Sequence, residues 1–225
     1  MQAIRAFLQR KDIEISLRRY GIDALGAMAQ GLFCSLLIGT ILDTLGTQLG
    51  LPFLATVGGY ASAMSGPAMA IAIGYALKAP PLVLFSLATV GYAANALGST
   101  TLSGGAGAGG PLAVLFIAVI AAEVGKAVSK ETRIDILVTP LVTILVGVGL
   151  SAWWAPAIGT AATAVGSFVM LATDLQPFLM GIIVSVVIGI ALTLPISSAA
   201  ICAAFGLTGL AGGAAVAGCC ANMVG

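Results

Sequence analysis

The chain has 225 residues, 60% of them hydrophobic and 8% charged, with a mean hydropathy of +1.13 and a formal net charge of +1. A soluble domain of this size carries about a quarter of its residues charged, so water cannot be the main solvent of this surface. Disorder, nucleic-acid binding and an ordinary soluble enzyme are excluded on the same grounds.

Residues 1–20 alternate charge with Ile4, Phe7, Leu8, Ile13 and Leu17, the pattern of an amphipathic helix lying at lipid headgroups. The rest, 21–225, reads as one membrane domain of seven or eight segments. Its apolar runs reach roughly 20 residues, the length of a spanning helix, whereas barrel strands need about 10 with alternation. The expected class is therefore all-α: a polytopic transmembrane helical protein with broken or re-entrant helices.

The first span is expected from Asp23 to Asp43. A second apolar stretch, Leu51 to Leu77, is interrupted by Ser65, Gly66 and Pro67 and ended by Lys78, Pro80 and Pro81. The third covers Leu82 to Leu97, and an uncharged glycine-rich loop follows over 98–110. Pro111 to Val128 makes the fourth, capped by Lys126, Lys130, Glu131 and Arg133. The fifth, Ile134 to Trp153, should end at Trp153, Trp154 and Pro156, an aromatic pair suited to a membrane interface. Ala161–Ala172 is too short to cross about 30 Å of hydrocarbon. It reads as a re-entrant or half-helix, or as joined to Phe178–Leu194 across Asp174 and Pro177. Ala199–Val224 completes the apolar segments.

The cations set an orientation. Arg5, Arg10, Lys11, Arg18 and Arg19, five of the nine Lys and Arg residues, precede the first span. Lys78 follows two spans later and the Lys126–Arg133 cluster two spans after that. All fall on one face, so the positive-inside rule places the N-terminus in the cytoplasm.

Histidine is absent, which removes the commonest general base and metal ligand. Cys34, Cys202, Cys219 and Cys220 lie in apolar runs and read as small buried hydrophobes. No catalytic residue, metal site or cofactor is expected. Ala199–Val224 is rich in Ala and Gly, and Gly209/Gly213 has the spacing of close helix packing. The breaks at Ser65–Pro67 and Pro195–Ser198 would free helix ends at depth, where backbone N–H groups and a positive dipole end face a polar solute.

Asp23 and Asp43 are expected at interfaces and Asp135 as a helix-start carboxylate. Glu123 is three residues before Lys126, so it forms a local ion pair or faces a cavity. Candidate solute-binding residues are Asn95, Glu123, Thr139, Ser197, Ser198 and Asn222, because amides, hydroxyls and a carboxylate recognise sugars. The same groups also join helices.

The stretches KETRIDILVTPLVTILVGVG (130–149), LTLPISSAAICAAFGLTGLAGGAAVAGCCANMVG (192–225) and KDIEISLRRYGIDALGAMAQGLF (11–33) resemble phosphotransferase-system sugar transporter subunit IIC, in the branch that includes the perfringolysin O regulator. The resemblance implies a dimer-forming pore protein of the bacterial inner membrane. It would pass a sugar inward while a cytoplasmic IIB-type phosphocarrier phosphorylates it. The chain departs from that pattern in having no histidine and no clear acidic sugar motif, and members of the branch continue beyond the position of Gly225, so a C-terminal portion is expected. The leading function is thus a permease for a small polar solute such as a sugar, partnered by the lipid bilayer, a IIB-type phosphocarrier and a second copy, with no nucleic acid. The alternatives are a membrane-embedded regulator or sensor of the same fold, and a channel.

Overall fold

The computed structural model describes residues 7, 10–13, 16, 18–99, 109–191, 207 and 209–224, and among these the regular structure is all helical. The first helix, α1, is Arg19–Leu49, with wider π-type turns at Arg19–Asp23 and Phe33–Leu37. Next come α2 (Pro52–Ala63), α3 (Ser65–Ala76), α4 (Pro81–Gly98) and α5 (Gly110–Val128). They are followed by α6 (Asp135–Leu175), α7 (Pro177–Ala191) and α8 (Gly209–Val224). Helices α1, α4, α5 and α6 are each long and apolar enough to cross a membrane.

Proline and charge explain the boundaries of the first five helices. Pro52, Pro81 and Pro111 occupy first-turn positions of α2, α4 and α5, where the missing N–H has no partner to lose. The second apolar stretch is broken at Met64, between α2 and α3, as the Ser65–Pro67 motif predicts. Each half has 12 residues, or about 18 Å of helix, so neither crosses a bilayer alone.

The core gathers around the short α3. Met69, Ala70 and Ile73 are completely buried against Met28 and Leu32 of α1, Val83, Leu87 and Val90 of α4, and Val114, Ile117 and Ala118 of α5. Helix α6 lies along α4 and α5. Its buried side is Thr139, Thr143, Gly147, Ser151, Ala155, Gly159, Ala162 and Gly166, a seam repeating at nearly every fourth residue. Small residues at that spacing let backbones approach closely, which is how helices associate where lipid is as apolar as leucine. Gly66 and Gly91 show the limit. A Cβ on the first would sit 2.5 Å from the carbonyl oxygen of the second, and the reverse distance is 2.4 Å.

Three expectations are corrected. The fifth span does not end at the tryptophan pair: α6 runs unbroken through Trp153, Trp154 and Pro156 to Leu175. Ala161–Ala172 is therefore its continuation, not a half-helix and not part of the segment after Pro177. In hydrocarbon, ending a helix exposes four carbonyls and four N–H groups, whereas one internal proline forfeits a single bond. Continuing is the cheaper solution. Second, Gly209 and Gly213 meet nothing within 4 Å of a built Cβ. The packed side of α8 is Ala211, Ala215 and Gly218, with Gly218 against the Ser185 carbonyl of α7. Third, Cys34 is exposed rather than buried. The break at Pro195–Ser198 lies outside the described residues.

Candidate functional site

The polar residues gather at two ends of the bundle. The first end is built where α3 and α5 stop and residues 10–12 cross between them. The last carbonyls of a helix lack intrahelical partners and carry partial negative charge. The Leu77 carbonyl, at the end of α3, accepts from Arg19 Nη2 at 3.0 Å and from Lys126 Nζ at 3.0 Å. The Ser129 carbonyl, at the end of α5, accepts from Lys11 Nζ.

Lys126 is the hub. Its side chain is 2% exposed, and its ammonium also donates to the Asp12 carbonyl at 2.6 Å and lies 3.2 Å from Glu123 Oε2. Tyr20 donates its hydroxyl to Glu123 Oε1 at 3.1 Å. Burying an ammonium costs several kcal/mol unless it is compensated, and here two carbonyls accept its protons while the Glu123 carboxylate balances its charge as an ion pair without a hydrogen bond. Glu123 is thus an ion-pair partner, the local pairing that its spacing allows, and it also ties α5 to α1 through Tyr20.

Closer to water, Glu131 Oε1 receives both Arg10 Nη2 and Lys11 Nζ at 2.7 Å. Asp12 receives Arg19 through both oxygens, at 2.7 and 3.4 Å. The Arg19 hydrogen bond holds the Asp12 carboxyl below its ordinary pKa, and the Lys11 hydrogen bond does the same for Glu131. These groups surround a cavity of about 370 Å³ whose wall also includes Lys78, Lys126 and Lys130. Among the described residues, the non-glycine positions with left-handed backbone are Asp12, Lys78 and Lys130, at φ 53°, 56° and 63°. All three line this cavity. Left-handed backbone costs a residue with a Cβ about 1 kcal/mol or more.

At the opposite end, Asn95 sits where α3 and α5 begin and α4 nears its end. Its Nδ2 donates a long 3.4 Å hydrogen bond to Ser65 Oγ. A Cβ on Gly110 would stand 2.4 Å from its Oδ1. The break at Ser65–Pro67 therefore lies beside an amide and brings it together with a buried hydroxyl.

The candidate residues do not form one cluster. Asn95 and Glu123 lie towards opposite ends of the bundle, about 20 Å apart along α5 at 1.5 Å per residue. Thr139 is fully buried on the α6 seam and donates to Asp135 Oδ1 at 2.6 Å. Asp135 also accepts from the Lys130 N–H at 2.7 Å, the helix-start role expected of it. Ser197 and Ser198 lie outside the described residues, as does the side chain of Asn222, whose backbone is part of α8. Sequence reasoning put Arg19 and Lys78 on one face with the Lys126–Arg133 cluster but did not join them, or Tyr20, to Glu123 in one site. The spacing of Glu123 and Lys126 was the one signal, and no pattern in the chain ties it to residues about a hundred positions away.

A family model described as "Phosphotransferase system, EIIC" matches residues 22–225. No curated protein and no solved structure matches the chain.

Proposed function

Because the chain belongs to the phosphotransferase system EIIC family, we propose that it is the permease of such a system, moving a small polar solute such as a sugar across a bacterial inner membrane. The observation that carries this reading is the family match over 22–225, together with a span broken at Met64 and an amide, Asn95, beside the break. Broken helices at a solute path are the usual means by which transporters offer polar backbone inside a bilayer. Asn95 and Ser65 would hold hydroxyls of the solute, with Ser197, Ser198 and Asn222 as further candidates from the second break. Thr139 and Glu123 act in this reading as positioning groups on α6 and α5.

The gathering of Arg10, Lys11, Arg19, Lys78, Lys126 and Lys130 at one end supports an N-terminus inside, under the positive-inside rule. A IIB-type phosphocarrier would then meet that end. Residues 1–20 would lie at the headgroups, and a second copy would complete a homodimer.

Counter-flow of labelled sugars into proteoliposomes tests the function. The reading expects saturable exchange that falls roughly tenfold or more in Asn95→Leu, since a lost hydrogen-bond partner at a polar solute is worth about 1–3 kcal/mol. A folded, reconstituted chain that exchanges no sugar would favour the regulator, and exchange without saturation would favour a channel.

A further inference from the structure

We propose that the basic cavity at the ends of α3 and α5 is a binding site for a phosphoryl group, held chiefly by Lys78 and Lys130. The inference does not rest on transport. It comes from charge left unbalanced among the described residues and from the backbone that carries it.

The wall of the cavity holds five cations, Arg10, Lys11, Lys78, Lys126 and Lys130, against the two carboxylates Asp12 and Glu131. Pairing them off gives the same surplus of three. Glu131 is shared by Arg10 and Lys11, which leaves one positive charge. Asp12 is taken by Arg19 and Lys126 by Glu123. Lys78 and Lys130 have no carboxylate within 4 Å among the described residues. Asp135, engaged by the Lys130 N–H and by Thr139, is the one further carboxylate beside the cavity among the described residues. Counting it still leaves two positive charges, the complement of a phosphate monoester, which carries nearly two negative charges at neutral pH.

Cations at helix ends commonly serve the helix dipole, but that task is already done here. Arg19 and Lys126 meet the α3 end at the Leu77 carbonyl, and Lys11 meets the α5 end at the Ser129 carbonyl. Lys78 and Lys130 each follow the C-cap of their helix, Leu77 and Ser129, with φ of 56° and 63°. Glycine is the residue that takes this position without strain. Two separate helices thus accept a strained lysine at the equivalent place, and both lysines line one cavity. Backbone strain concentrated in this way marks a place where the side chain is needed. The volume, about 370 Å³, is within the range of small-ligand sites.

The group has two possible sources, a soluble phosphate monoester or the monoester headgroup of phosphatidic acid, since in the orientation proposed above this basic end lies at the membrane surface. Binding to the full chain is read as thermal stabilisation in zwitterionic-lipid nanodiscs titrated with inorganic phosphate or glycerol phosphate, and separately in nanodiscs containing phosphatidic acid. The paired variant is Lys78→Gly with Lys130→Gly. Glycine removes both ammonium groups and the left-handed strain, so its melting temperature without ligand should equal or exceed that of the unaltered chain. The proposal expects the apparent affinity for one of the two sources to fall by roughly tenfold or more, a charge-assisted hydrogen bond being worth about 1.5–3 kcal/mol. Loss of the response to soluble phosphate identifies a soluble ligand, and loss of the response to phosphatidic acid alone identifies a headgroup. If neither probe stabilises the unaltered chain, or the paired variant responds as strongly, the proposal is overturned.

Discussion

The bundle of α3, α4, α5 and the first half of α6 differs in kind from the arm formed by the end of α6 with α7 and α8. In the bundle, several glycines touch the neighbouring helix. A Cβ on Gly159 would fall 2.2 Å from the Gly98 carbonyl oxygen, and one on Gly147 would fall 2.4 Å from the Val90 side chain. In the arm, Gly218 meets the Ser185 carbonyl oxygen as closely, but Gly181, Gly209 and Gly213 face open space, and among the described residues the buried apolar cluster is Val184, Ile188 and Ala215. Phe168, Leu171, Leu175 and Phe178 are all more than half exposed. Both regions are strongly apolar in composition. Hydrophobicity therefore puts helices into lipid without deciding how they pack. The decision falls to backbone proximity and to the few buried charges.

That contrast is open to direct attack. The largest effect is expected from Lys126→Met, which removes the ion-pair partner that Glu123 has among the described residues. Breaking a buried pair from one side costs about 3–5 kcal/mol, seen as a lowered melting temperature in detergent, and Glu123→Gln added to it should recover part of the loss. Asp174→Asn in the arm, at an exposed position, should change the melting temperature by little more than error. Gly159→Leu comes next, at about 3 kcal/mol, because overpacking here pushes two backbones apart rather than one rotamer. Gly181→Leu, the same change in open space, should stay within about 0.5 kcal/mol.

The smallest effect concerns pH. Asp12 and Glu131 have folded pKa values below their ordinary ones. Their contribution is therefore present above the ordinary carboxylate range and is lost as pH falls through the lowered folded values. The melting temperature should be level from pH 7 to 5 and decline below about pH 4. The Asp12 and Glu131 side chains are 42% and 39% exposed, so the decline should be shallow, and Asp12→Asn should reduce it.

The elements of the bundle were legible because proline and charge punctuate them. Pro52, Pro81 and Pro111 start helices, while Lys78 and the Lys126–Arg133 run end them. Pro156 misled, because a proline inside an apolar run is a stop signal in water and only a lost bond in hydrocarbon. The α6 seam, from Thr139 to Gly166, was open to reading at four-residue spacing, but the denser glycines of 206–218 drew the packing argument to Gly209 and Gly213. At the candidate site the pairing of Glu123 with Lys126 followed from their separation of three. Its joining to Tyr20, Arg19 and the Leu77 carbonyl depends on how α1 and α3 meet α5, which no local pattern encodes. Left-handed lysines leave no mark in a sequence either, since the expected residue there is glycine.

Residue-resolved hydrogen exchange of the full chain in mild detergent tests the central distinction most directly. Amides of 69–76, 86–94 and 143–159 should exchange at least about tenfold more slowly than those of 178–188 and 210–218, reflecting the higher local opening free energy of the bundle. Equal protection in the two sets, or faster exchange in the bundle, would contradict the claim that close backbone packing and the buried Lys126 network hold this fold together.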